Sequence, residues 1–173
     1  MNASNDMGDR KDMLQEALMA QRQMLIDAIG KPGEEIPQAF TPYKEVLDVY
    51  DEGLELPDDV TIIWPDDNYG YMKRLSSPKE QKRSGRSGVY YHSSYLGKPH
   101  DHLWMNTISP TLMYEELRKA YDATADRIWL LNAGDIKSCE FAVDYFLTMA
   151  FDIDSFNFER AANYRTEWLC GML

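Results

Sequence analysis

The feature that most constrains the fold of this chain is an alternation of short β-rich runs with amphipathic helical stretches between residues 60 and 151. Three runs, 60–64, 88–95 and 127–132, are rich in β-branched and aromatic residues and are predicted to be strands. Apolar residues at helical spacing predict helices over 110–123 and 139–151. Strands that alternate with helices favour a parallel sheet covered by helices, the α/β class.

The flanking segments are predicted to be helical. Helices are expected over 11–29 and 42–52 before the first strand, and over 156–170 at the end of the chain. Residues 1–10 are polar and are expected to be a loose or disordered N-terminus. The stretch 11–173 is long enough to bury the core of one domain.

Composition and motif content exclude several classes of protein. The 29 acidic and 18 basic residues give a net charge of −11, which argues against a nucleic-acid partner. The one basic stretch, 79–86, is interpreted as a solvated loop. The longest apolar runs are too short for a membrane span, so no membrane partner is expected. No phosphate loop, dinucleotide fingerprint or nucleophile elbow is present, which argues against nucleotide-dependent enzymes and serine hydrolases.

Metal and disulfide chemistry have little support in the sequence. Cys139 and Cys170 have no ligand or disulfide spacing, and both are predicted to be free, buried thiols. His100 and His102 form a His-x-His pair without a third ligand at a fixed spacing. We therefore predict no metal site and no cofactor.

Polar side chains follow the first strand directly, where α/β enzymes place their active sites. Asp66, Asp67 and Asn68 come immediately after this strand. Adjacent carboxylates perturb each other's protonation, which acid–base catalysis uses. Pro65 followed by Asp, Asp and Asn is equally good turn chemistry, and the residues alone leave both interpretations open.

The ends of the other two strands carry a second group of polar residues: His92, Tyr95, Asn132, Asp135, Lys137 and Glu140. Polar groups beside aromatic rings are suited to binding sugars. Ordinary strand-end packing explains each of these residues as well, and an acidic residue in the first turn of a helix often only interacts favourably with the helix dipole.

Three ordered segments carry a resemblance to a known family. The run Trp-Pro-Asp-Asp-Asn-Tyr-Gly-Tyr over 64–71, the stretch 88–104 and the run Ile-Trp-Leu-Leu-Asn-Ala-Gly-Asp-Ile-Lys over 128–137 resemble glycoside hydrolase family 115, the xylan α-1,2-glucuronidases. The similarity extends over about 13–151. Where the family usually has Gly-Asp-Ile-Lys-Pro, this chain has Ser138, which removes a rigid helix start but no chemical group.

This resemblance implies a fold and an activity. Members of the family have a (β/α)8 catalytic barrel between flanking domains, and such a barrel takes about 250 residues. The chain is therefore expected to form a partial TIM barrel, with about three parallel βα units preceded by two helices, within a larger enzyme. The implied reaction removes glucuronic acid or its 4-O-methyl ether from glucuronoxylan or decorated xylo-oligosaccharides, with inversion and without a metal. The chain itself indicates no compartment, and only the location of xylan outside the cell points to an extracellular or periplasmic parent enzyme.

Inversion requires a general acid and a general base whose carboxyl groups lie about 6.5–9.5 Å apart. Asp66 and Glu140 are the predicted catalytic pair, without an assignment of which is the acid. The side chains predicted to orient the sugar are Asp67, Asn68, His92, Tyr95, Asn132 and Asp135. Lys137 or Arg74 is predicted to pair with the carboxylate of the sugar.

Two alternatives stay open on the sequence. The chain could be an inactive fragment or a carbohydrate-binding relic of the barrel, or an unrelated α/β protein that uses these loops as turns. An open arc of about three strands also exposes strand edges and apolar side chains. We therefore predict that the isolated chain associates with itself, as a homo-oligomer or as a poorly soluble species.

Overall fold

A computed structural model describes residues 3–171, with side chains described from residue 8 onward. It contains a four-stranded parallel sheet in which each strand pairs with its neighbour in sequence, in the order β1-β2-β3-β4. The strands are β1 (Ala39–Phe40), β2 (Thr61–Pro65), β3 (Ser87–His92) and β4 (Trp129–Asn132). The helices are α1 (Ala3–Ile29), α2 (Glu45–Asp51), α3 (Pro110–Asp122), α4 (Glu140–Phe151) and α5 (Phe158–Gly171). The prediction of a parallel α/β fold is confirmed, and the sequential strand order is that of a βα barrel.

The core lies between the sheet and helices α3 and α4. Because side chains alternate along a strand, Val89 and Tyr91 point towards these helices while Tyr90 and His92 point to the opposite face. The helix side of the sheet shares one fully buried cluster with α3 and α4, which includes Ile62, Trp64, Val89, Tyr91, Met113, Leu117, Tyr145 and Phe146. This packing holds the ends of β2 and β3 in fixed positions relative to each other.

Strand β1 is absent from the prediction. It has two residues, Ala39 and Phe40, which pair with Thr61 and Ile62 of β2. A run this short has no readable alternation, so its strand character comes from pairing with β2 and not from its own sequence. As a result the sheet has four strands where the sequence predicted about three.

Helix α1 begins at Ala3 and not near residue 11. The predicted loose N-terminus is therefore helical from residue 3 onward, and residues 1 and 2 lie outside the described part of the chain. Residues such as Met7, Arg10 and Lys11 have favourable helix propensities, so this polar stretch can be helical without burying a face. None of the helices in the described part of the chain is both long and apolar enough to cross a membrane.

Three smaller expectations need correction. Strand β3 ends at His92 and not at residue 95, because the backbone N–H groups of Ser93 and Ser94 both turn towards the carbonyl of Asn132. Cys139 is buried and free as predicted, but Cys170 is exposed. The basic stretch 79–86 is anchored and not simply solvated, since the Arg83 guanidinium donates to backbone carbonyls that precede β2.

Candidate active site

The carboxyl ends of β2, β3 and β4 meet beside a cavity of about 320 Å³. Parallel strands place their carboxyl ends at one edge of a sheet, so segments far apart in sequence converge here. The cavity is lined by Tyr43, Lys44, Tyr90, His92, Ser94, Tyr95, Leu96, Leu103, Asn132 and Gly134. Polar groups and tyrosine rings therefore surround one space, as a sugar site requires.

Asp66 and His92 form a buried pair at the base of this cavity. The His92 Nδ1 atom lies 2.6 Å from Asp66 Oδ1, and both side chains are almost fully buried. The same carboxylate accepts backbone N–H groups of Asn68 and Gly70 at 3.1 Å and of His92 at 3.2 Å. Because the carboxylate can only accept, Nδ1 donates, and Nε2 is left without a hydrogen-bond partner among the described residues.

Asp67 has a different environment from its neighbour. Its Oδ1 atom accepts from the backbone N–H groups of Tyr69 and Tyr71 at 3.0 and 3.1 Å. Its other carboxylate oxygen lies 3.4 Å from Lys73 Nζ. Asp67 therefore stabilises the turn that follows β2, which is the structural role that its sequence context also allowed.

Aromatic rings hold the imidazole of His92 on three sides. The Tyr43 ring stacks on it at 6.0 Å between centroids, the Tyr90 ring lies at 4.5 Å, and the Tyr95 ring lies edge-on at 5.8 Å. The Tyr43 hydroxyl donates to Asn68 Oδ1 at 2.8 Å. These contacts limit the imidazole to one orientation.

Asn132 completes this group from the end of β4. Its Nδ2 atom donates to the Tyr90 hydroxyl at 2.7 Å. Four of the predicted site residues, Asn68, His92, Tyr95 and Asn132, are thus brought together around the cavity or in direct contact with its walls.

The other predicted residues lie outside the cavity lining. Glu140, the first residue of α4, accepts from Lys137 Nζ at 2.6 Å, and Lys137 is 92% exposed. Hydrogen bonding to Glu140 raises the pKa of the Lys137 ammonium. Asp135 follows the cavity residue Gly134; its side chain is exposed and its carboxylate has no partner among the described residues.

Arg74 lies in a separate groove. Its guanidinium pairs with Glu80 at 2.8 Å and with Asp51 at 3.2 Å, and it stacks over the ring of Trp64 at 4.5 Å. This groove does not share lining residues with the cavity at the strand ends. The charge of Arg74 is therefore neutralised by carboxylates in this groove, away from the cavity where the sugar carboxylate would bind.

Tyr43 and Lys44 are cavity residues that the sequence placed in a helix over 42–52 and not in the site, whereas α2 begins only at Glu45. They lie between β1 and α2, and with β1 unrecognised nothing marked them as residues at the end of a strand. No local sequence signal could have found them, because the two-residue strand Ala39–Phe40 that precedes them has no readable alternation. Among the described residues, no group of three or more His, Cys, Asp or Glu side chains is arranged to hold a metal ion.

Comparisons with known proteins agree with this architecture. The model of the family described as Glycosyl hydrolase family 115 matches residues 2–172. None of the curated proteins matches. A solved structure described as "A novel family GH115 4-O-Methyl-alpha-glucuronidase, BtGH115A, with specificity for decorated arabinogalactans" is 45% identical, with a TM-score of 0.84.

The alignment with that structure covers 86% of this chain and 20% of the other, so the chain spans about a fifth of the length of its solved relative. The family match covers almost the whole chain. The solved structure shares the fold of this chain, and its sequence identity is well above that of chance similarity. The resemblance read from the three strand-end segments is confirmed, and the chain belongs to glycosyl hydrolase family 115.

Proposed function

We propose that the protein carrying this chain is an α-glucuronidase that removes α-1,2-linked glucuronic acid, or its 4-O-methyl ether, from glucuronoxylan or decorated xylo-oligosaccharides. The observation that supports this proposal most is the cavity at the strand ends of a family 115 chain, where His92 and Asn132 meet tyrosine rings. Sugars are held by oriented polar groups beside aromatic faces, and this cavity combines both.

A second polysaccharide has a specific observation in its favour. The solved relative is described as specific for decorated arabinogalactans. A glucuronic acid branch on arabinogalactan would present the same uronic acid to the cavity on a different backbone. The proposed reaction is the same in both cases, and the experiment below includes both polymers.

We propose a positioning role for Asp66 in place of the direct role that the sequence suggested. Its two oxygens already accept four hydrogen bonds and its side chain is buried, so it has no free surface for a sugar. It holds His92 so that Nε2 is free on the cavity side. His92 Nε2, the Asn132 carboxamide and Tyr95 are then the proposed contacts for sugar hydroxyls, while Asn68 orients Tyr43 and Asp67 maintains the turn.

The inverting mechanism stays a proposal that needs two carboxylates across the sugar. Glu140 and Asp135 are carboxylates after β4 that solvent reaches, since Glu140 is 39% exposed and Asp135 is exposed without a partner among the described residues. We propose that one of them acts as the acid or the base. Asp135 is the stronger candidate on geometry because it adjoins Gly134 of the cavity, while Lys137 already pairs with Glu140.

The test is release of free uronic acid from glucuronoxylan and from arabinogalactan by the protein that carries this chain. Asp135→Asn or Glu140→Gln should lower kcat by about 100-fold or more, since acid–base groups contribute about 10²–10⁴-fold. The free energy of unfolding should change by less than about 0.5 kcal/mol in these surface variants. Asp66→Asn should lower activity and also cost about 2–3 kcal/mol of stability, because the buried N–H donors around it lose a charged acceptor.

Glu159→Gln is the matched control, because Glu159 is an exposed acidic residue at the start of α5, away from the cavity lining. It should leave release unchanged. If the wild-type protein releases no uronic acid but binds decorated oligosaccharides, the chain belongs to a carbohydrate-binding relic and not to an active enzyme. If Asp135→Asn and Glu140→Gln both retain full activity, neither carboxylate is catalytic and the mechanism proposed for this edge of the sheet is wrong.

A further inference from the structure

The charge of the cavity differs from that of the chain. The chain carries a net charge of −11, yet none of the cavity-lining residues is acidic and one of them, Lys44, is a cation. A like-charged surface repels an anionic ligand at long range, so an anion needs a local cation to bind. Lys44 supplies this cation from the lining of the cavity.

Lys44 has no ion-pair partner among the described residues. The other candidate cations are already neutralised, since Lys137 pairs with Glu140, and Arg74 pairs with Glu80 and with a second carboxylate. His92 lies 2.6 Å from the buried carboxylate of Asp66, which opposes any positive charge on the imidazole.

The position of the Lys44 ammonium is defined by two tyrosine rings. Nζ lies 5.1 Å from the centroid of Tyr43 and 5.5 Å from that of Tyr95, both of which line the cavity. A cation over aromatic faces is held by the ring quadrupole while its remaining N–H groups stay free. Hydrogen bonding to Tyr95, with the nearby Tyr43, raises the pKa of Lys44, so the ammonium keeps its charge at neutral pH.

The backbone at Lys44 is strained. Its φ of 53° and ψ of −124° lie in a region that L residues rarely adopt. The backbone carbonyl of Lys44 accepts from Leu47 N–H at 2.9 Å, which helps to hold this conformation. Strain of this kind persists where the surrounding structure imposes it, and it accumulates at binding and catalytic sites.

We infer that Lys44 is the residue of this cavity that binds the carboxylate of the uronic acid and so selects uronic acids over neutral hexoses. The inference rests on the proposed function for the identity of the ligand. It replaces Lys137 and Arg74, which the sequence suggested for this role, with the unpaired cation that lines the cavity.

The experiment compares one decorated oligosaccharide in two forms, with a free uronate and with the same uronate as its methyl ester. Binding to the protein that carries this chain is measured by calorimetry at neutral pH for wild type, Lys44→Met, Lys44→Arg and Lys98→Met. The wild-type protein should bind the acid about 10- to 100-fold more tightly than the ester, the range of a charge-assisted hydrogen bond. Lys44→Met should lose this preference, and Lys44→Arg should retain most of it.

Lys98→Met is the matched control, because Lys98 is an exposed lysine in the loop after β3 that does not line the cavity. It should keep the wild-type preference. The inference is overturned if the wild type binds the acid and the ester equally or binds neither of them. It is also overturned if Lys44→Met keeps the full preference for the acid. An equal loss of affinity for both forms would also overturn it, because it would show that Lys44 contacts hydroxyls and not the carboxylate.

Failure of the proposed function is a separate outcome. A wild-type protein that prefers the acid through Lys44 but releases no uronic acid would refute hydrolysis and leave the uronate-binding site in place. Equal hydrolysis of the acid and the ester by both the wild type and Lys44→Met would support the glycosidase activity. It would also show that Lys44 does not determine the specificity.

Discussion

Asp66 and Asp67 are adjacent carboxylates with opposite surroundings. The backbone turns after β2 so that Asp66 is buried against His92, whereas Asp67 faces its own turn and Lys73. Tertiary contacts therefore separate two side chains that are chemically identical. The same reasoning applies to the cations, since burial and pairing decide that Arg74 stabilises the fold while Lys44 stays available to a ligand.

Glu80 shows how such pairing affects stability. Burial alone would raise the pKa of this carboxyl, but hydrogen bonds from Arg74, Ser77 and Tyr50 outweigh burial and lower it to about 2. A lowered pKa means that the folded state favours the charged form. The resulting stability is fully present above the ordinary pKa of 4.5 and is lost as the pH falls through about 2.

We predict that Glu80→Gln removes this pH dependence. The variant should be less stable than wild type at neutral pH, and the difference in unfolding free energy should shrink as the pH falls from 4.5 to about 2. Urea denaturation across this range measures the effect. Glu34→Gln is the control, because Glu34 is exposed and has no partner among the described residues. A difference that stays constant over the whole range would contradict the prediction.

At the scale of elements, close pairing between β3 and β4 positions the ends of both strands. Val89 N–H donates to the carbonyl of Ile128 at 2.8 Å, and Tyr90 and His92 pair in register with Leu130 and Asn132. Gly88 lies so close to Ile128 that a Cβ at this position would be 2.1 Å from the Ile128 carbonyl oxygen. The approach of β4, and with it the position of the cavity, depends on a residue without a side chain.

We predict that Gly88→Ala lowers the free energy of unfolding by about 3 kcal/mol, because the added methyl group must push rigid backbone apart. Gly8→Ala is the matched control in α1, where a Cβ would meet nothing within 4 Å. Alanine there should raise stability by up to about 1 kcal/mol through its helix propensity. Urea denaturation of both variants measures the contrast, and a similar small effect at the two positions would show that the strands can separate at low cost.

At the scale of the whole molecule, the sheet is an open arc with β1 and β4 at its edges. In a closed barrel each edge strand would pair with a further strand, which removes exposed edges. Leu130 on the edge strand β4 is 44% exposed, and Phe151 at the end of α4 is 91% exposed. These surfaces favour contact with other protein, whether in the same polypeptide or in another copy.

The isolated 173-residue chain is therefore predicted to self-associate. Sedimentation equilibrium should show species larger than the monomer, and Leu130→Lys should shift the distribution towards monomer, because a charge on an edge strand opposes strand pairing. Glu159→Gln, away from the sheet edge, should not change it. A monomeric chain with a sharp two-state melt would contradict this prediction.

The sequence by itself determined the α/β class, three of the four strands and the family. These properties depend on local patterns, such as the β-branched run that becomes β2 and the ordered residues that follow each strand. Hydrophobic periodicity reports which face of an element is buried, whatever lies against it. It also placed His92 and Asn132 at the strand ends, where they were found.

Only the tertiary structure decided which of these side chains share a site. Lys44 enters the cavity because a two-residue strand pairs with β2, and Asp66 is withdrawn from it because His92, 26 residues away, covers the carboxylate. Arg74 and Lys137 carry the positive charge that an anionic ligand needs, but both are already paired with carboxylates of this chain. Such outcomes depend on contacts and burial between distant segments, and these physical quantities have no local signature in the sequence.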